Sequence, residues 1–464
     1  MRLYTHPAAR AGYMNMRSLN SLVTDSAAAA CSWGSGTRII NGMMNQSGNG
    51  TPLKTLYELL ADAGWSRGLV TTAEITHATP AGFAACAKSR DMATKIATQY
   101  LDQKIDILLG GGSKFFDQTY RLDKRDLPTE YRDAGYFVME NLAQLSAAPR
   151  SKRWLGLFSR SHLPYTLDQI ADARAISTIP TLAAMTTAAL RRLEGESKFI
   201  LQVEGGRIDH ACHNNDAAAA LRDQIAFDEA LDVCVEFQKR DPETLLVITT
   251  DHGNANLALN GSGDAYGQST WQFRKLKEIK KSFSTMIRPL KRLPGEELLD
   301  TERDEVAEKA KDKAMSAAQK EQEKIRKKKE EENVATPTEI IEIVEEGTGY
   351  KMPYRKAELL RLHLANAAES LYDMRKSDMM ALADVIANHI SIGFTGNAHT
   401  ADYVPVLALG PGSERFAGFI QNTDVFQHYL HFAGVNFRNP QEPLITGSGP
   451  EAHDVERPER YKHV

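Results

Sequence analysis

The stretch FILQVEGGRIDHACH, residues 199–213, runs from an apolar segment into four metal-competent side chains: Glu204, Asp209, His210 and His213. A short apolar run closed by Gly-Gly reads as a buried strand, and open α/β sheets gather their ligands beyond the carboxyl ends of such strands. Asp209 and His213 lie four apart, so one helical turn can aim both at a single ion, and zinc accepts carboxylate and imidazole together. D-x-x-x-H by itself is a common pattern; Glu204 at the strand end adds a third donor.

The same construction recurs along the chain. GLVTT (68–72), DILLGGG (106–112), LLVITTDHG (245–253) and VPVLALGPG (404–412) are short apolar runs that end in polar or Gly-rich turns. Helical patterns separate them, among them TPLKTLYELLADAG (51–64) and PTLAAMTTAALRRLEG (180–195). Alternating strands and helices predict an α/β fold, a three-layer α/β/α arrangement around a mostly parallel central sheet. We read 1–464 as one domain with a helical, charged insertion over 270–390. The insertion carries KIRKKKEEEN (324–333), the break ATPTE (335–339) and a helical stretch over 354–390, after which ISIGF returns to strand-like alternation. The charge run reads as a solvated helix face.

Composition narrows the function. With 42% hydrophobic and 25% charged residues the chain is ordinary for a globular protein, and a net charge of -4 gives no basic field for nucleic acid. No apolar run reaches the roughly 20 residues of a membrane span. The opening MRLYTHPAARAGYMNMRS lacks the apolar core of a secretory signal and shows no recognisable strand. Cys31, Cys86, Cys212 and Cys234 are widely spaced and read as reduced, structural thiols.

Four further segments carry chemistry. In VTDSAAAACSWGSG (23–36) Ser26 falls at the first turn of an alanine-rich helix, where N–H groups and the helix dipole suit an anion; the plainer reading is that Asp25 or Ser26 caps the helix. VITTDHGN (247–254) sets Asp251 beside His252 at a strand end with Gly253 permitting a turn, and His399 precedes the strand of VPVLALGPG. TTAEITHATPAGFAACAKSR (71–90) offers His77, Thr79 and Arg90, whose planar fork can grip two phosphoryl oxygens.

In order and wording these five segments resemble the alkaline phosphatase family, over roughly 1–260 and again 390–440. The resemblance implies two zinc ions and one magnesium ion. Asp209, His213 and His399 would hold the first zinc; Asp251 and His252 would hold the second, with Ser26 as the reacting ligand. Thr79 and Glu204 would lie at magnesium, a hard ion that prefers oxygen. Arg90 would bind the phosphoryl group, while His77 and His210 would tune phosphate affinity and the magnesium site. The implied activity is hydrolysis of small-molecule phosphate monoesters through a phosphoserine on Ser26, with a homodimer and a periplasmic or extracellular location as family expectations.

One family segment is not found. The resemblance implies an opening strand that ends in an aspartate turn and bridges two of the metals, yet Asp25 is the one acidic residue ahead of Ser26 and belongs to the nucleophile segment. The chain therefore reads as N-terminally truncated, with a sheet one strand short and weakened metal sites. Two other functions stay open: a catalytically impaired or silent member, and a related phosphodiesterase. Arg90 speaks against the diesterase, because a doubly charged terminal phosphate needs that cation more than a diester does.

Overall fold

The computed structural model describes residues 6–261, 266–293, 334–366 and 370–445. Five strands, β2 (Ser66–Glu74), β3 (Ile107–Gly111), β4 (Tyr136–Met139), β5 (Arg153–Leu157) and β6 (Phe199–Glu204), form a wholly parallel sheet in the order β4-β5-β3-β2-β6. The fold is α/β. Residues 68–72, 106–112 and 199–206 fall on β2, β3 and β6 as the apolar runs require.

A second sheet has the order β13-β1-β12-β7, built from β1 (Arg10–Asn15), β7 (Leu246–Thr249), β12 (Val404–Leu409) and β13 (Gly418–Gln421). Here the reading of the first residues is corrected: RAGYMN does form a strand. Its local propensity is poor, so the ladder makes it, from Arg10↔Ala408 to Met14↔Val404 against β12 and from Gly12↔Gly418 to Asn15↔Gln421 against β13. β12 runs antiparallel to β7. Residues just before β12 therefore reach the same end of the layer as residues just after β7, which brings His399 to the carboxyl ends of the other strands.

No ladder among the described residues joins the two sheets. The larger ends at β6 and the smaller at β7. They nevertheless share their covering layers. Phe227, on the helix α6 (Ala217–Arg240), packs against the apolar clusters of both sheets, while Ile200 of β6 and Val247 of β7 both abut the main core on the opposite face. All six residues of β6 are half-buried, although four are apolar. That is the burial of an edge strand, as its place at the end of the five-stranded sheet requires.

Helices α1 (Ser26–Ser35) and α3 (Ala78–Ala84) pack with their backbones almost in contact. A Cβ on Gly34 would lie 1.9 Å from the Gly82 carbonyl oxygen, and one on Gly82 would lie 2.5 Å from the Ala30 Cβ. Only glycine at both places allows this approach. Helix α2 (Leu56–Asp62) opens on a Thr55/Glu58 capping box and is shorter than 51–64 suggested, because Thr55 is extended.

The helices of 270–390 include α7 (Phe283–Leu290), α8 (Pro337–Thr348), α9 (Tyr354–Leu364) and α10 (Asp378–Ile390). They enclose an apolar cluster of their own, with Met286, Ile340, Val344, Leu360 and Ile386 at its centre. The stretch 354–390 is two helices rather than one, interrupted ahead of the Ser377 cap of α10. The cluster is fastened to the sheet layer at the start of α7, where Asp168 accepts from Ser282 N and Oγ and Asp216 accepts from Phe283 N. The charge run 324–333 lies outside the described residues.

Candidate active site

Asp25 caps α1: its Oδ1 accepts from Ala28 N at 2.9 Å, and its Oδ2 accepts from Gly42 N at 3.0 Å and lies 3.4 Å from Arg90 Nη1. The capping reading of this segment holds for Asp25. Its two oxygens are thereby committed to the helix, the Gly42 turn and Arg90. Ser26 follows as the first helical residue, 4% exposed.

The sequence-predicted metal residues converge at this helix end. Asp209 and His213 lie on α5 (Arg207–His213), directly after β6. His213 donates from Nδ1 to the Asn397 carbonyl at 2.6 Å, and His399 donates from Nδ1 to the Thr24 carbonyl at 2.8 Å. A carbonyl can only accept, so in the neutral rings the lone pairs are on Nε2. Those two Nε2 atoms stand 3.1 Å apart, and Asp209 Oδ2 is 3.3 Å from that of His213. Facing lone pairs beside a carboxylate repel unless a cation lies between them. Among the described residues, Asp209, His213 and His399 are the one group whose ligand atoms all lie within 4.8 Å of one another. Two imidazoles and a carboxylate suit zinc. Asn254 Nδ2 donates to Asp209 Oδ1 at 2.5 Å and orients it.

A second point of convergence is His252 Nε2, which lies 2.9 Å from Ser26 Oγ and 3.0 Å from Asp251 Oδ2. In a Ser-His-Asp triad the carboxylate would sit on the other ring nitrogen. Here serine, imidazole and carboxylate all address one point, which is the arrangement of ligands around an ion. The His252 ring stacks on His399 with centroids 3.4 Å apart, so the two points adjoin.

The electrostatics follow from burial and from this crowding. Burial pushes the Asp209 carboxyl up, but His213, His252 and His399 more than reverse it and hold it well below the usual carboxylate range. Burial likewise pushes Asp251 up, and His252 brings it net below its ordinary value. Burial, then the charge of His252, press His399 down to about 4, so its ring stays neutral and its lone pair available. Glu204 is raised, by burial first, against hydrogen bonds from Thr71 and Thr79. Thr71 Oγ1 is 2.5 Å from Glu204 Oε2. Glu204 and Thr79 thus form the all-oxygen corner of the site, the chemistry a hard cation requires.

Arg90 and His77 meet beside the Asp25 cap of α1. Arg90 Nη2 donates to His77 Nε2 at 3.1 Å, and both residues are buried. His77 has two imidazole neighbours, His210 at 5.3 Å and His162 at 5.5 Å between ring centroids, and His162 lies 4.4 Å from His210. His162 was not singled out from the sequence, although it follows β5 as the other site residues follow their strands. Arg207 was missed as well; it donates to His210 Nδ1 at 2.9 Å. All four cysteines are free.

Comparison with known proteins places these features. The sequence model of the alkaline phosphatase family matches residues 7–435. Alkaline phosphatase 3 of Bacillus subtilis is 32% identical over 423 residues, covering 90% of this chain and 78% of that protein. Streptomycin-6-phosphate phosphatase of Streptomyces griseus is 34% identical over 281 residues, covering 51% of this chain and 63% of the relative. The crystal structure of Thermus thermophilus alkaline phosphatase superposes with a TM-score of 0.81 at 29% identity, covering 98% of this chain and 87% of that one.

Proposed function

The chain belongs to the alkaline phosphatase family of metal-dependent phosphatases, and from that premise we propose that it hydrolyses small phosphate monoesters through a phosphoserine on Ser26. The observation that carries the proposal is the convergence of Ser26 Oγ, His252 Nε2 and Asp251 Oδ2, adjoining the facing Nε2 atoms of His213 and His399. Asp209, His213 and His399 would hold one zinc and Asp251 and His252 a second, with Ser26 beside them; Glu204 and Thr79 would lie at magnesium. Bound there, the ions would lower the pKa of the serine hydroxyl and offset charge on the phosphoryl oxygens.

The protein's own part is placement. Asp25 caps α1 and fixes Ser26 at its N-terminus, where the helix dipole favours an approaching anion. Ser26 Oγ forms the bond to phosphorus while the ester oxygen departs with its electron pair and leaves as the alcohol. Water then attacks the phosphoserine, restores the hydroxyl and releases inorganic phosphate. Two displacements, each inverting, give net retention at phosphorus. Arg90, held between Asp25 and His77, would offset the second negative charge that a monoester dianion carries and a diester does not.

Turnover of p-nitrophenyl phosphate with added zinc and magnesium, in wild type and Ser26→Ala, tests the proposal. Loss of at least about a thousandfold on substitution supports the nucleophile. Equal turnover in both removes Ser26 from the chemistry. A second reading, a catalytically impaired member, is favoured by the open edge between β6 and β7, because both strands deliver site residues and neither has a partner on that side among the described residues. Stoichiometric zinc binding without turnover in the same assay would select it.

A further inference from the structure

Arg207 opens α5 two residues ahead of Asp209, and it is 7% exposed. Its guanidinium carbon lies 3.8 Å from the centre of the Tyr165 ring, and the Tyr165 hydroxyl accepts from Asn214 Nδ2 at 3.1 Å. Asp223 supplies the opposite charge close by and is itself held by the backbone N–H and hydroxyl of Thr166. The Arg207 backbone N–H donates to Thr72 Oγ1 at 3.1 Å. The guanidinium therefore lies stacked on the Tyr165 ring in the field of Asp223, and in this orientation Nη1 donates to His210 Nδ1 at 2.9 Å.

That contact has a consequence for the imidazole. Arginine carries donors and no acceptor, so His210 Nδ1 must supply a lone pair, and the proton of the neutral ring is then on Nε2. Across the pocket the same logic applies to His77. Its Nε2 accepts from Arg90, which puts its proton on Nδ1. Two rings 5.3 Å apart, each with one nitrogen set by a buried arginine, present N–H groups and not lone pairs elsewhere on their rims. Such groups serve an anion and cannot ligate a cation.

We propose that Arg207 is a positioning residue that locks His210 as an Nε2–H donor, so that His210 recruits phosphoryl oxygen and is kept out of the metal ligand set. This rests on the phosphatase reading above. Without Arg207 the opposite tautomer becomes accessible, and a lone pair on Nε2 would turn away an anion that the proton attracts. Asp223 and Tyr165 extend the role, since they hold the guanidinium that sets the tautomer.

Two measurements on the metal-loaded protein test the idea. Nitrogen-15 NMR of labelled histidine, with His210 assigned from the spectrum of His210→Gln, should show a pyridine-type Nδ1 and a pyrrole-type Nε2. A pyrrole-type Nδ1 in the wild type overturns the proposal, whether or not the protein turns over any ester. Calorimetric titration with inorganic phosphate should show Arg207→Met binding roughly tenfold more weakly, the scale of one charge-assisted hydrogen bond. In the His210→Gln background the same substitution should change the affinity by less than about twofold. An equal loss in both backgrounds means Arg207 acts on the fold and not through His210, and refutes the assignment. Arg207→Lys, which keeps a donor, should recover part of the affinity; if Arg207→Met does not fold, this variant and the wild-type spectrum still decide.

Discussion

The approach of α1 to α3 sets where Ser26 stands against His77 and Thr79, and it depends on two glycines. Gly82→Ala would put a methyl 2.5 Å from the Ala30 Cβ, 2.8 Å from the Ala30 carbonyl carbon and 3.0 Å from Cys31 N. Ordinary contact begins near 3.4 Å, so the helices must part by about 1 Å, because backbone and Cβ atoms have no rotamer to yield. Replacing glycine by alanine inside a helix favours the helix by about 1 kcal/mol. Overpacking a filled interface costs about 1–3 kcal/mol, occasionally more, so Gly82→Ala should be net destabilising by up to about 2 kcal/mol. Gly34→Ala should be worse, since its methyl would meet the Gly82 carbonyl oxygen at 1.9 Å. Activity should fall further than stability: a displacement of about 1 Å at reacting groups costs on the order of a hundredfold in rate. The assay is denaturant unfolding alongside kcat for p-nitrophenyl phosphate in both variants. Wild-type kcat in Gly34→Ala, or Gly82→Ala less active than Gly34→Ala, would refute the claim that this contact positions Ser26.

Two other outcomes follow from the site and its surroundings. Chelation should lower the melting temperature by several degrees and zinc should restore it, since a ligand at a hundred times its Kd stabilises by about 2.7 kcal/mol; His399→Ala, which removes one of the facing Nε2 atoms, should blunt the restoration, and full restoration would count against the site. Asp216, which anchors α7, has its carboxyl pushed up to about 7 by burial, against N–H donors that lower it. A carboxyl raised on folding contributes stability at low pH that is lost as pH climbs from about 4 through about 7. Relative to Asp216→Asn, the wild type should therefore lose stability across that window in denaturant titrations at pH 4.5 and pH 8; a difference independent of pH would show that Asp216 is ionised throughout.

Much of this site is local in the chain, and for that reason legible in it. Asp209 and His213 are brought to one face by a single turn of α5; Asp251 and His252 are adjacent; Asp25 and Ser26 are capping residue and first helical residue. The parallel sheet was readable for the same reason, since the apolar runs of β2 and β3 announce burial on both faces. What pairs across long separations was not readable. RAGYMN has no strand signal of its own and becomes β1 through residues almost 400 positions later. His162 and Arg207 gain their meaning from His77, Tyr165 and Asp223, none of which is a sequence neighbour within one turn.

The sequence by itself thus determined the residue types, their turns and the α/β class, because helical and strand periodicity and capping act over a few residues. The tertiary structure alone decided that His213 and His399 face each other, that arginines meet His77 and His210, and that among the described residues no ladder joins β6 to β7. These are properties of directions and gaps between segments, which the covalent order does not encode until close packing fixes them.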